Sequence, residues 1–145
     1  MTYNPLPLAQ QCIKTLGDKA VVLSKTETEA QWNLLKHMVP FAKNGKVAWE
    51  KVAKRQLVGN SAKEILHALQ DLLERPIDKA IYIQWSDDTL PMIQTDLDAA
   101  LSLLELITKV TFELFLFNPN QGYLVEIISR NKITIGLVKS HMRGN

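Results

Sequence analysis

The sequence contains only one cysteine, Cys12, among its 145 residues. One cysteine cannot form an intramolecular disulfide, and it leaves no pair of thiolates for a structural zinc site. Cys12 also falls on the apolar side of a predicted helix, where a small buried thiol is the ordinary outcome. We therefore expect Cys12 to be structural, in a protein of the reducing cytoplasm.

Long apolar runs are missing as well. Even the run at residues 101–107 is interrupted by Ser102 and Glu105, far short of the roughly 20 apolar residues that cross a bilayer. Residues 1–16 have neither the basic start nor the apolar middle of a secretion signal, since their first lysine is Lys14. We expect a cytoplasmic protein that makes no contact with the membrane.

The sequence is equally poor in groups that could carry out a reaction. Its six glycines are isolated, so no glycine-rich phosphate loop is present. His37, His67 and His141 do not have the spacing of a metal motif, and the paired acids Asp87 and Asp88 have no further ligand or base beside them. We expect no enzymatic activity, no cofactor and no bound metal.

What is present is an ordinary globular composition. The hydrophobic fraction of 46% and the charged fraction of 22% are those of a chain that folds around a core. The length is close to the commonest domain size and too short for two comfortable cores. We expect residues 1–145 to form one domain.

Helical patterns dominate the first half of the chain. Their signals are capping pairs such as Thr26 with Glu29 and Ser61 with Glu64, stripes of apolar residues, and a glycine or proline at the end. The predicted helices occupy residues 5–16, 26–39 and 61–75, with a short strand at 20–23 and a turn at 44–45. Residues 47–57 fit either a strand or a basic amphipathic helix, and we favour the helix.

The second half alternates between one helix and several strands. Residues 80–85 are mostly β-branched and aromatic, which predicts a strand, and a polar loop follows at 86–91. Thr95 and Asp98 have the spacing of a capping pair for a helix at residues 96–107. Three strands at 110–117, 123–129 and 133–138 are joined by short turns, which predicts an antiparallel meander. The fold class is therefore α+β, with amino-terminal helices packed on one face of a mostly antiparallel sheet.

Charge is distributed unevenly along the chain. Residues 1–75 contain 11 lysines and arginines against 7 acidic residues, whereas residues 76–130 contain 3 against 8. Asp87 and Asp88 follow a predicted strand, and Asp96 and Asp98 begin the next helix, so the four could gather at one end of the sheet. Such an anionic patch would attract a basic partner. The alternatives are a solvated turn for the first pair and helix capping for the second.

Aromatic residues near the acids are candidates for contact anchors, because tryptophan and tyrosine dominate binding hot spots. A tryptophan at a strand end can equally belong to the core, and both interpretations of Trp85 stay open. The candidate partner-binding residues are Trp85, Asp87, Asp88, Asp96, Asp98 and Tyr123.

A basic stretch supports a competing hypothesis. If residues 47–57 are helical, Lys51, Lys54 and Arg55 share a face with Trp49 nearby, an arrangement that could bind phosphates and stack a base. Charge runs of this kind are more often solvated helix faces. The alternative function is a nucleic-acid-binding module, whose full basic set is Lys43, Lys46, Lys51, Lys54, Arg55 and Lys63.

The carboxyl half carries a set of motifs. These are IYIQWSDDTLPMIQTDLDAAL, VTFELFLFNPNQGYLVEI and KITIGLV within residues 81–138. Together they resemble the cytoplasmic immunity proteins of bacterial contact-dependent growth inhibition systems. The resemblance implies a protein that binds and blocks the carboxyl-terminal toxin domain of a large exported effector, commonly a nuclease. It implies one cognate toxin as partner. Because the charge balance of the whole chain is weak, we expect no direct binding to nucleic acid. Such inhibitors are often acidic, and the net charge of +2 departs from that habit.

Overall fold

The computed structural model describes residues 3–129 and 131–139. Arg130, from the second predicted turn of the meander, and His141 lie outside the described residues. Short 3-10 turns occur at Gly17–Lys19 and Trp49–Lys51. The helices are α1 (Leu6–Leu16), α2 (Lys25–Met38), α3 (Ala62–Leu73), α4 (Leu97–Ser102) and α5 (Leu104–Val110). The strands are β1 (Val21–Val22), β2 (Arg55–Val58), β3 (Ala80–Trp85), β4 (Ile93–Asp96), β5 (Glu113–Asn118), β6 (Tyr123–Ile128) and β7 (Lys132–Leu137).

All seven strands join one sheet in the order β1-β4-β3-β5-β6-β7-β2. Every neighbouring pair is antiparallel. The predicted α+β class and the carboxyl-terminal meander β5-β6-β7 are confirmed. β4 was not predicted, and it turns the chain back along β3 immediately after the polar loop.

The larger core lies on one face of the sheet. Ile81, Ile83 and Trp85 alternate with more exposed residues along β3 and point to this face, where Leu114 and Leu116 of β5 join them. Helices α1, α3, α4 and α5 supply the opposing side chains. Cys12 is fully buried here, and burial raises the pKa of its thiol to about 11. The thiol is therefore protonated at neutral pH.

A second core lies on the opposite face of the sheet. Leu35 and Met38 of α2 pack there against Phe117 of β5 and Leu124 of β6. A hairpin of residues 40–48 extends this cover, and its predicted turn at 44–45 is confirmed by Gly45, whose φ is 83°. The expectation that all helices share one face is therefore wrong, because β strands of this sheet carry apolar side chains on both sides.

Capping pairs located the helices but not always their first residue. Ser61 caps α3 as predicted, since its hydroxyl accepts a hydrogen bond from the Glu64 amide at 3.1 Å. The capping box of α2 is formed by Ser24 with Glu27 and not by Thr26 with Glu29. The chain is still extended at residue 23, where the amide donates to the Met92 carbonyl at 3.0 Å. The helix consequently begins directly after this strand-like pairing.

The predicted helix at residues 96–107 is two helices with a break at Leu103. Asp96 is the N-cap, because its carboxylate accepts a hydrogen bond from the Ala99 amide at 3.1 Å. Thr95 cannot cap the helix because it belongs to β4 and pairs with Ile81. The predicted capping pair of Thr95 and Asp98 is wrong for that reason.

The helix favoured at residues 47–57 is also wrong. A 3-10 turn at Trp49–Lys51 leads into β2, which pairs with β7 from Arg55↔Gly136 to Val58↔Ile133. Trp49 packs closely over β7, and a Cβ at position 136 would lie 2.6 Å from its Cζ3 atom. Pairing with a distant strand thus decides the conformation of a segment whose local pattern is ambiguous.

A hydrogen-bond network connects the start of β3 to the turn between β5 and β6. The Asn118 Nδ2 atom donates to the Ala80 carbonyl at 2.7 Å, and the Gln121 Oε1 atom accepts from the Asp78 amide at 2.8 Å. The hydroxyl of Tyr123, which is 0% exposed, donates to the Asp78 carbonyl at 2.7 Å. We refer to Asn118, Gln121 and Tyr123 as the turn network.

Replacing Tyr123 with phenylalanine tests the turn network. Tyr123→Phe should lower the free energy of unfolding by about 1 kcal/mol, because one buried hydrogen bond is lost. Urea denaturation measures the effect. Tyr82→Phe is the control. The Tyr82 ring stacks on Phe117 in the second core, and loss of its hydroxyl should change stability less. Equal effects of the two substitutions would contradict a special role for the Tyr123 hydroxyl.

Glu126 is a buried carboxylate on the interior strand β6. The indole Nε1 atom of Trp49 donates to its Oε1 atom at 2.8 Å. Burial nevertheless raises the pKa of Glu126 above its ordinary value, and the nearby charge of Glu113 adds to the rise. The folded state therefore binds this proton more tightly than the unfolded state does.

The raised pKa of Glu126 has a defined effect on stability. As pH rises through the interval between the ordinary carboxyl pKa and the folded-state pKa, the folded protein loses stability. Glu126→Gln keeps an acceptor for Trp49 but cannot ionise. Its stability relative to the natural chain should therefore increase as pH rises above the ordinary carboxyl pKa, measured by urea denaturation across a pH series. Exposed Glu29→Gln is the control, and parallel profiles for all three proteins would refute this effect.

Candidate partner-binding site

A cleft of about 850 Å³ opens where β3 ends. Gln84 and Phe115 form its floor on the second face of the sheet. Trp32 of α2 lines one wall, Gly45 of the 40–48 hairpin lines another, and the loop of residues 86–91 forms the rim. The cleft thus combines aromatic surface with polar groups from five separate elements, as binding sites commonly do.

The rim loop is held by its own hydrogen bonds. The amide and hydroxyl of Thr89 both donate to the Asp87 Oδ1 atom, at 2.8 Å and 2.6 Å. These two bonds lower the pKa of Asp87 below its ordinary value. Leu90 is buried and anchors the loop to the core. Asp87 is therefore a charged group with a fixed orientation.

Other charges around the cleft are mixed in sign, with carboxylates in excess. Asp88, Glu29 and Glu113 line the cleft, as does Lys25. Lys46, at the tip of the 40–48 hairpin, forms an ion pair with Glu113 at 3.6 Å. Asp88 lines the cleft from the rim loop, and Asp87 lies next to it in the same loop without lining the cleft.

Gln84 places an acceptor in the floor of the cleft. Its Nε2 atom donates to the Trp85 carbonyl at 3.1 Å. Its Oε1 atom is buried and accepts no hydrogen bond from any residue between 3 and 139 that the structure describes. A buried acceptor without a donor is unfavourable, and this oxygen is closed to solvent, so it is a local cost of the fold and not an open contact point.

The four predicted acids do not gather at one end of the sheet. Asp87 and Asp88 follow the last residue of β3, whereas Asp96 lies opposite Ala80, the first residue of β3. The two pairs are thus separated by the length of a six-residue strand, about 17 Å at roughly 3.4 Å per residue. The expectation of a single anionic patch is wrong, because β4 reverses the chain between the two pairs.

Asp96 and Asp98 have local partners at that other end. Asp96 caps α4, as described above. Asp98 accepts a hydrogen bond from the Lys79 ammonium group at 2.7 Å, and this contact raises the pKa of Lys79. Both carboxylates therefore match the helix-start alternative that the sequence left open.

Trp85 and Tyr123 are core residues. Trp85 is 1% exposed, points to the face of the sheet opposite the cleft floor, and donates through its Nε1 atom to the Ile107 carbonyl at 3.1 Å. Tyr123 belongs to the turn network. In this conformation neither side chain offers surface to a partner, so their prediction as contact anchors is corrected, and both support the elements that carry the rim loop.

Phe112 is a surface residue that the sequence pattern concealed. Its alternation with Val110 and Leu114 predicted a place in a strand, but β5 begins at residue 113 and the Phe112 side chain is 70% exposed. It lies at the same end of the sheet as the rim loop, because the Ser86 amide donates to the Glu113 carbonyl at 3.1 Å.

The basic stretch does not form a common surface on a helix. Its six cations lie on the hairpin tip, the second 3-10 turn, the start of β2 and α3. Lys54 pairs with Glu74 at 3.8 Å, and one guanidinium nitrogen of Arg55 donates to the carbonyls of Trp49 and Val52. The structural premise of the nucleic-acid hypothesis is therefore wrong.

Comparison with known proteins identifies the family. The sequence model described as "CdiI immunity protein EcoliA0-like" matches residues 6–136, which is most of the chain. A search of curated proteins gave no match. None of the described helices is both long and apolar enough to cross a bilayer. The chain therefore belongs to the CdiI immunity protein family, whose members protect against the toxins of contact-dependent growth inhibition systems.

Proposed function

We propose that this protein neutralises its cognate toxin by direct binding, that the toxin is a nuclease, and that the contact includes the rim loop with Asp87 and Asp88. Family membership supports the protective role. The observation that carries the proposed contact is the fixed carboxylate of Asp87 in the loop whose neighbouring residues line an aromatic cleft.

The charge of the rim loop suits a nuclease. An enzyme that binds a polyanionic substrate needs cationic side chains around its active site. Carboxylates held in position on an inhibitor complement those cations and accelerate the encounter. The fixed geometry of Asp87 adds to this effect, because no side-chain freedom has to be lost when the complex forms.

The cleft behind the rim gives the partner a place to enter. Trp32 and Phe115 line it with aromatic surface, and Asp88 adds a carboxylate from the rim loop. A lysine or arginine side chain of the toxin suits this lining, because its methylene groups pack on apolar surface while its charged end stays beside the carboxylate. Inhibition then results from occupation of the toxin surface, at one inhibitor per toxin, without any chemical step.

Co-expression tests the binding mechanism. The chain should protect cells that express the cognate toxin domain and should co-purify with that domain at a ratio of one to one. The toxin alone should cut RNA or DNA, and added inhibitor should stop cleavage at equimolar concentration. Protection at a small fraction of the toxin concentration would refute stoichiometric binding, and a toxin without nucleic-acid cleavage would refute the nuclease assignment.

Charge reversal tests the rim loop. Asp87→Lys with Asp88→Lys should slow association with the toxin domain by about tenfold or more at low ionic strength. The difference should shrink as salt screens the charges. Stopped-flow or surface-binding kinetics measure the rate, and circular dichroism checks the fold.

A matched control separates the loop from the total charge. Asp18→Lys with Asp71→Lys makes the same change in net charge at two exposed positions that do not line the cleft. This control should retain most of the natural association rate. Equal slowing by both double variants would show that net charge, and not the rim loop, governs the encounter.

A further inference from the structure

Phe112 is the most exposed of the four phenylalanines. Its side chain is 70% exposed, whereas Phe115 and Phe117 are buried and Phe41 is half-buried. Exposed aromatic surface of this size is unfavourable in water. A single exposed ring is common on protein surfaces, so the case for Phe112 rests on what lies beside it.

The backbone at Phe112 is firmly held. The Ser129 amide donates to the Phe112 carbonyl at 2.7 Å, and the Thr111 hydroxyl donates to the Glu113 carbonyl at 2.8 Å. The backbone of Phe112, the last residue before β5, is thus fixed to the sheet. Because the backbone is set before binding, only side-chain freedom has to be lost when the ring enters a pocket.

Phe112 and the rim loop occupy neighbouring positions at the sheet end. Trp85 pairs with Leu114, and the Ser86 amide continues this pairing to Glu113. Beyond Ser86 and Glu113, the next residues on the two neighbouring segments are Asp87 and Phe112. The same end thus presents an aromatic ring beside a fixed carboxylate.

A second aromatic residue lies on the other side of Phe112. The side chain of Tyr3 is 60% exposed, and its hydroxyl donates to the Val110 carbonyl at 2.7 Å. Tyr3 is therefore tied to the chain two residues before Phe112. Apolar surface bounded on one side by carboxylates is the arrangement of a contact centre with a polar rim.

We propose that Phe112 is the apolar anchor of the toxin interface and inserts into a pocket of the toxin domain that has lysine or arginine at its edge. This inference rests on the proposed function and adds a residue that forms the contact. The acidic rim determines the chemistry of the partner. A toxin surface that complements it has a cationic side chain opposite Asp87 and an apolar pocket opposite Phe112.

A second copy of this chain fits the same surface poorly. A two-fold dimer through Phe112 would bring both copies of the Asp87 and Asp88 loop to one interface. Like charges at an interface are repulsive. The geometry therefore favours a cationic partner over self-association.

Truncation of Phe112 tests the anchor. Phe112→Ala should raise the dissociation rate of the complex with the toxin domain by about tenfold or more, while the association rate changes little, because anchors act mainly on dissociation. Phe112→Leu should retain part of the affinity. Thermal unfolding of the free variant should match the natural chain, since an exposed ring contributes little to the core.

Leu57 provides the matched control. It is 68% exposed on edge strand β2, which the sheet order places three strands away from β5. Leu57→Ala should leave both rate constants unchanged. Unchanged dissociation for Phe112→Ala, with the natural chain still binding the toxin, would overturn the anchor and leave the proposed function intact.

The remaining outcomes are also distinct. Absence of binding by the natural chain would instead overturn the proposed function. Sedimentation of the free chain should show a monomer before and after the substitution. A dimer that Phe112→Ala dissociates would assign this surface to self-association and would overturn the anchor.

Discussion

The register between β3 and β5 is the constraint on which the rest of the structure depends. The two strands are brought together across a long stretch of chain, and the turn network holds the start of β3 against the β5-β6 turn. In this register Ile81 and Ile83 enter the larger core while Tyr82 and Gln84 face the cleft side. A shift by one residue would exchange these two sets, burying Gln84 among apolar helices.

The same register assembles the proposed binding surface. It places the rim loop directly after β3 and Phe112 directly before β5, so the two contact features are neighbours although 25 residues separate Asp87 from Phe112. Both are attached to the middle of a seven-stranded sheet. The proposed surface therefore needs little rearrangement to receive a partner, and such preorganisation favours tight binding.

Much of the fold could be predicted because its signals are local. Apolar alternation identified β3 and the meander, and caps identified α1 and α3. β4 was missed because its pairing with β3 and β1 defines it, in a segment of four residues between a loop and a helix. That omission placed Asp96 and Asp98 beside Asp87 and Asp88. Phe112 was missed for a related reason. The alternation of apolar residues extends back to Val110, whereas pairing with the neighbouring strands begins only at residue 113.

Hydrogen exchange of the free and toxin-bound chain measures the binding surface most directly. In the free protein the rim loop is largely exposed to solvent. The account predicts that the toxin slows exchange at the amides of residues 87–89 and 111–112 and leaves the loop at residues 59–61 unchanged. Slowing confined to residues 59–61, or to the β3 start near Asp96 and Asp98, would contradict it.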